Sequence, residues 1–422
     1  MSHPLFTTLK NLKGNARGAV LTEPLWGIPF FLYSPYVSIY MLALGLTDSQ
    51  IGLVASISLG LQIFSALLSG AITDKLGRKR TTFIFDFISW TIPAVIWAIA
   101  QNFTYFVIAA VINSLWRVTH TSWTCVLVED TDPEDLVEIY SWIYIAGQLS
   151  VFAAPIAGLL INRFTLVPTM RGLYIFAAVM MSAKFVIMNM LVTETRQGRI
   201  RMEETKNKSI FSLLGEYRGV FKQILQAPQT LYTLGIMLVM NITGIINGNF
   251  WAILATEKIH IPAGHLAIYP FVRSIIMLVF FFLVIPRVRG LHFKRPMLLG
   301  FSGYVIAQLI LINVPEKSYF LLMANVILEA CSYAVLGTQV DRMLVVTVDP
   351  KERARIYSIL FLLAIAFSSP FGWIAGKLSE VNRVLPFLIN ITLFICGLLL
   401  TFLAARQSRK AASETAPAEV VA

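Results

Sequence analysis

The chain has 422 residues, 57% of them hydrophobic and 14% charged, with a mean hydropathy of +0.71. A water-soluble protein of this composition would carry a greasy exterior, so an ordinary soluble enzyme or binding module is excluded and the solvent for most of the chain is lipid. The net charge of +11 invites a nucleic-acid partner, but of 34 Lys and Arg, 24 lie in the N-terminal segment, the even-to-odd loops and the C-terminal tail, 6 in the opposite loops and 4 inside apolar runs. That asymmetry is the positive-inside signal; it accounts for the basicity without a nucleic acid and puts both termini in the cytoplasm.

Twelve apolar runs long enough to cross a bilayer, roughly 20 residues each, are read at 19–44, 50–73, 81–100, 104–127, 138–162, 171–193, 229–256, 264–286, 295–313, 318–346, 356–378 and 384–405. In hydrocarbon each segment must pair its own backbone polar groups, so the runs are helices and the expected fold is an all-α, multi-pass protein of the cell (plasma or inner) membrane. Lys10, Lys13 and Arg17 precede the first run. It is too long for a signal peptide and lacks a small-residue cleavage site, and it is read as the first span. An aromatic stripe, Trp26, Tyr33, Tyr36 and Tyr40, runs along it, and Pro24, Pro29 and Pro35 weaken its helix. Glu23 lies near its cytoplasmic end.

Between the second and third spans stands "GAITDKLGRKR", one acid and four bases punctuated by glycine. Asp86 follows in the third span, and the fourth carries Asn113, Arg117, His120 and Thr124 on one helical face. An acidic loop comes next, with Glu129, Asp130, Asp132, Glu134, Asp135 and Glu138; Lys184 is in the sixth span. The stretch from about 193 to 228 divides the spans six and six. It begins polar and basic, "ETRQGRIRMEETKNK", and continues as "SIFSLLGEYRGVFKQILQ", whose apolar residues recur at helical spacing as in an interfacial helix.

In the second half, "MNITGIINGNFW" of the seventh span reads as a flexible, polar-lined segment bearing Asn241, Asn247 and Asn249. Arg273 is in the eighth span, and the tenth carries Asn325, Glu329 and Ser332 at helical pitch with Tyr333 beside them. An ionisable residue at mid-membrane, such as Arg117 or Glu329, is by default a functional candidate: the two can meet as an ion pair, bind substrate or carry a proton. Cys125, Cys331 and Cys396 have neither metal-site nor disulfide spacing. "DPEDLVEIYS" at 132–141 resembles "DPKERARIYS" at 349–358, and each precedes a span with a proline, Pro155 or Pro370. The organisation expected is therefore two parallel halves, 1–193 and 229–405, a linker with an interfacial helix at 194–228, and a disordered cytoplasmic tail at 406–422.

The stretch Gly70 to Arg80 resembles the signature between the second and third helices of the major facilitator superfamily, with Gly70, Asp74, Lys75, Gly77, Arg78 and Lys79 filling its positions and Arg80 following. The second half keeps only the bases, with Arg289 where Asp74 stands in the first. The resemblance implies two pseudo-symmetric six-helix halves and alternating access. Gly70 would admit a neighbouring helix, Gly77 would make the turn, and Asp74 would accept hydrogen bonds from the N-terminus of the eleventh helix. The bases would latch onto the acidic loop and hold the cytoplasmic side shut. It also implies a central cavity lined by spans one, four, seven and ten, which selects Asn113, Arg117, His120, Tyr33, Tyr36, Tyr40, Asn241, Asn325, Glu329 and Tyr333 as substrate or proton candidates.

The drug–proton antiporters of that family carry two further signatures, and both are partial here: Arg117 is followed by His120 and Thr121, and the fifth-helix pattern keeps Pro155 and Gly158. The expected function is proton-coupled efflux of amphipathic small molecules by a monomer without cofactor or metal. Uptake of a small organic solute, an anion among the options, is the alternative. A non-transporting sensor is the reading from another class, disfavoured because the tail after the last span is too short and polar for a signalling domain. No paired-histidine metal motif, nucleophile elbow or phosphate loop points to an enzyme.

Overall fold

The chain is described by a computed structural model covering residues 12–132, 135–207, 209, 228–284, 293–346 and 353–414. Among these residues there is no β-strand, and ten helices are long and apolar enough to cross a membrane. The other two expected spans are present in pieces. The fourth consists of two short helices, and the eighth is one short apolar helix continued by a π-helical turn at Phe280–Val284.

In chain order the first span is α1 (Gly14–Tyr33) and α2 (Val37–Ala43), the second α3 (Asp48–Leu76), and the third α4 (Arg78–Asp86) and α5 (Ile92–Ala98). The fourth is α6 (Phe103–Asn113) and α7 (Trp116–Val128), the fifth α8 (Leu136–Ser150) and α9 (Ala154–Phe164), the sixth α10 (Leu166–Leu191). A short linker helix, α11 (Arg196–Thr205), precedes the second half: α12 (Pro228–Ile253), α13 (Ile268–Val279), α14 (Lys294–Ile312), α15 (Tyr319–Val346), α16 (Arg353–Ser368), α17 (Phe371–Val381) and α18 (Leu385–Glu414).

Local chemistry sets the boundaries. Thr47 and Gln50 form a reciprocal capping box at the start of α3, and the Asn102 carboxamide accepts from the Thr104 N–H at the start of α6. The prolines of the first span act at Ser34–Tyr36, where the helix tightens into a 3₁₀ turn around Pro35. The fifth and eleventh spans both break just before the proline shared by the repeat, Pro155 opening α9 and Pro370 preceding α17.

Two expectations are corrected. The seventh span is one helix through its asparagines, because Asn241 and Asn249 donate to carbonyls of their own preceding turn, 2.9 Å and 2.8 Å away, and disturb nothing. The tail does not become irregular at 406; α18 continues to Glu414, as a run of Ala, Arg, Lys and Glu favours. The basic stretch after the sixth span forms α11. The amphipathic segment 210–225 and Arg289 lie outside the described residues.

The halves meet through glycines at the face opposite the termini. A Cβ on Gly52 would strike the Gly372 carbonyl, and one on Gly376 would sit 2.5 Å from the Asp48 carbonyl, so α3 and α17 touch backbone to backbone. Around them Ser379 and Arg383 both bond the Asp48 carboxylate, and Ser49 N–H donates to Glu380 at 3.1 Å.

Candidate functional site

Between the halves lies a cavity of about 630 Å³. Spans one, five, seven, eight and ten supply most of its wall. Glu329, 6% exposed, projects into it from α15 and faces Arg273 of α13, with Nη1 3.4 Å from Oε1. Asn247 of α12 donates to the same carboxylate oxygen at 3.4 Å and accepts at its own Oδ1 from Asn390 at 2.9 Å. The Arg273 guanidinium lies 5.2 Å above the Tyr333 ring. Three spans of the second half thus converge on one acid, and aromatic rings, among them Phe30, Phe31, Trp251 and Tyr269, make up much of the rest. Ser274 of α13 donates to Gln148 of α8 at 2.8 Å, a polar tie across the cavity between the halves.

Of the residues selected from the sequence, Glu329 and Tyr333 line this cavity. Arg117 does not meet Glu329. Its Nε donates to Gln62 at 3.0 Å, and its guanidinium packs over Trp116 at 4.2 Å and over Phe361 of the eleventh span at 4.7 Å. The partner of Glu329 is Arg273, which carried no pattern in the sequence beyond its depth. His120 is exposed and faces a smaller cavity within the first half, edge-on to Trp116.

The tyrosine stripe belongs to the core of the first half. Tyr33 packs on Tyr174 at 4.9 Å, Tyr36 is fully buried, and Tyr40 donates to the Trp97 carbonyl at 2.9 Å. The opposite side of the same span, Phe30, Phe31, Ser34 and Pro35, faces the cavity. Asn113 and Asn325 are inter-helix ties, donating at 2.8 Å to the carbonyls of Ser89 and Ala307. Asn241 bonds its own helix; the asparagine that reaches the site is Asn247. Glu23 and Lys184 form a 3.1 Å ion pair across the first and sixth spans, with Asp86 close by in the same small cavity.

At the termini face, Gly77 makes the turn between α3 and α4 with φ +85°, a conformation suited to glycine. Gly70 admits no close neighbour: a Cβ there would meet nothing within 4 Å among the described residues. Arg78, 4% exposed, bonds Asp74 at 2.9 Å and Glu129 at 3.0 Å, so the expected attraction between the motif and the acidic loop is present. Its partners, however, are helices of the same half. Asp74 takes Arg201 of α11 at 2.7 Å, and this bond holds the Arg201 guanidinium above its ordinary pKa. The N-terminus of the eleventh helix is not among the described contacts of Asp74. Glu194, which the sequence reading passed over, accepts from the N–H groups of Arg78 and Lys79 at 2.9 Å and 3.0 Å and so caps α4. Its only signal was an acid in a basic stretch. Lys79 and exposed Arg80 border a cleft beside it, and Lys75 stands in the last turn of α3.

The profile of the Major Facilitator Superfamily matches residues 25–359. The uncharacterized MFS-type transporter YqjV of Bacillus subtilis (strain 168) is 28% identical over 127 residues, a match spanning 30% of this chain and 31% of that relative. Among solved structures, the nucleoside transporter NupG superposes with a TM-score of 0.70 at 16% identity, covering 93% of this chain and 99% of that one. The POT family transporter PepTSo gives 0.69 at 11% identity, covering 94% and 98%. A bacterial homolog of the human lysosomal transporter Spinster, inward-facing and unoccupied, gives 0.67 at 15% identity, covering 96% and 98%. At these identities the structures speak for the fold.

Proposed function

The chain belongs to the major facilitator superfamily, and from that premise we propose that it is a proton-coupled secondary transporter that expels amphipathic small molecules by alternating access. The observation that carries this reading is Glu329, a buried carboxylate held by Arg273 and Asn247 at the edge of an aromatic cavity between the halves. A proton on Glu329 neutralises it, releases Arg273 and changes the charge presented to a solute; the two events are therefore linked. Aromatic walls suit solutes with an apolar body.

Arg273 in the wall favours a second reading, proton-driven uptake of a small organic anion. Liposomes containing a pH dye, challenged with cationic, anionic and neutral solutes, test both. Solute-dependent proton movement supports coupling, its sign gives the direction, and solute movement with no proton movement removes coupling from the proposal.

The charged turn Gly70 to Arg80 completes the proposal as a gating element, with the cytoplasm on the side of the termini. Its network ties the second, third and fourth spans to α11, so a rocking half carries the linker with it. Asp74→Asn loses the charge that holds both Arg78 and Arg201, and the expected result is a shift toward the state open on the termini side. Single cysteines on each face, labelled in wild type and variant, measure it; equal labelling on both faces removes the motif from gating.

A further inference from the structure

Among the residues that α12 turns toward the central cavity are Met240, Gly244, Asn247, Gly248 and Trp251, spaced along one helical face. Two of them have no side chain. Glycine in a helix interior costs stability relative to alanine, and in a membrane the usual compensation is a neighbouring helix packed against it. Gly52 and Gly376 have that compensation, each with backbone of the other half against it. Gly244 and Gly248 do not, since a Cβ on either would meet nothing within 4 Å among the described residues. Their bare backbone borders the open space of the cavity instead.

The surrounding wall offers rings and an unused cation. Trp251 follows the glycine pair on the same face and meets Tyr269 edge-on at 5.3 Å. Arg273, its side chain 38% exposed, gives Nη1 to Glu329 at 3.4 Å and makes no other hydrogen bond among the described residues. The Tyr333 ring below it, at 5.2 Å, holds the guanidinium in place while most of its N–H groups stay unused. Asn247, next to Gly248 in the chain, donates to the same Glu329 oxygen as Arg273. The bare backbone and the guanidinium are therefore close neighbours.

We propose that Gly244 and Gly248 form the floor of a slot for a flat solute, and that this solute is an aromatic carboxylate: its ring lies on the bare backbone of α12 beside Trp251, and its carboxylate takes the unused N–H groups of Arg273. A planar ring approaches a helix backbone closely only where no Cβ stands between them. The planar fork of a guanidinium matches a carboxylate with two parallel hydrogen bonds. Glu329 opposes an anion only while it is ionised, and the proton that coupling assigns to it releases Arg273 for the solute. A compact, three-dimensional acid of the same charge gains the guanidinium but not the floor. This rests on the second reading above, coupled movement of an organic anion, and names the shape of that anion.

Calorimetry on the full-length chain in detergent and mildly acidic buffer, with naphthoate, adamantanecarboxylate and the uncharged naphthylmethanol, tests the slot without requiring transport. Wild type is expected to bind naphthoate at least about tenfold more tightly than either of the others. Gly248→Ala places a methyl group in open space, so it should fold with an unchanged or raised melting temperature. It should weaken naphthoate about tenfold and move adamantanecarboxylate less than about twofold. Gly244→Ala should act in the same direction, and it decides the matter should Gly248→Ala fail to fold. Arg273→Gln should bring naphthoate down to the affinity of naphthylmethanol. The proposal is overturned by failure of naphthoate to bind, by equal affinity for the two acids, or by wild-type naphthoate affinity in Arg273→Gln or in both alanine variants. Alanine variants that slow turnover without altering the selectivity between the acids would make the glycines a hinge and likewise overturn it. If naphthoate binds with this selectivity but liposomes show no proton-coupled flux of it, the transport reading falls and the slot stands. If proton-coupled flux of another solute is present and naphthoate neither binds nor competes, the slot falls and transport stands.

Discussion

Glu329→Gln is expected to abolish solute-driven proton movement in liposomes while leaving solute-for-solute exchange measurable. The substitution keeps the shape of the side chain and an oxygen able to accept from Asn247, and removes the group that gains and loses the proton. It also leaves Arg273 without its anion. Truncating one partner of a buried ion pair costs roughly 3–5 kcal/mol. The Arg273 side chain is 38% exposed, so screening brings the penalty to the lower end of that range or below. The protein should therefore fold, and the defect should appear in coupling. Proton flux is read with an internal pH dye and exchange with labelled solute; Glu329→Gln moving protons as wild type does would return the residue to a fixed structural pair.

Gly52→Val should be the most disruptive change at the opposite face. The closest atom to its new Cβ is the carbonyl oxygen of Gly372 in the other half, and the reciprocal position is also close, with the Gly52 carbonyl oxygen 2.7 Å from a Cβ on Gly372. A backbone carbonyl cannot step aside as the end of a side chain can. Overpacking of this kind costs roughly 1–3 kcal/mol. Here the cost falls on one conformation, because the contact exists only when the halves meet at this face, and a penalty of about 2 kcal/mol shifts the populations roughly thirtyfold toward the separated state. Cysteines at the mouth of α3 and α17 should become labelled from that side and turnover should fall in proportion, with little change in melting temperature. Wild-type labelling together with wild-type turnover would show that the glycine contact is not needed for closure.

Several of the site assignments made from the sequence moved once the helices were placed. The stripe Tyr33, Tyr36 and Tyr40 has the right pitch to line a cavity, but pitch gives the face of a helix and not the neighbour it turns toward. Tyr174 and Trp97 of the same half claim that face. Arg117 and Glu329 sit at similar depths in their spans, yet Arg117 is drawn to Gln62 and Phe361 and Glu329 to Arg273. The charged turn fared better, because its interactions are local or nearly so: Gly77 makes the turn and Arg78 reaches Glu129. Glu194 and Arg201 were missed because their roles depend on the linker folding back on the motif.

The sequence by itself determined the solvent, the helical class, the twelve apolar spans, a first span weakened by its prolines and the charged turn. Each follows from short-range rules: the length needed to cross hydrocarbon, the demand that every segment pair its own backbone, and the geometry of proline and glycine. Only the tertiary structure decided that Arg273 and Asn247 hold Glu329, that Glu23 takes Lys184 while Asp86 is left in an aromatic cavity, and that the halves close on glycine pairs. Those pairings join residues tens to hundreds of positions apart, and in a chain whose spans are all apolar, hydrophobic pattern does not distinguish a face turned to lipid from one turned to another helix.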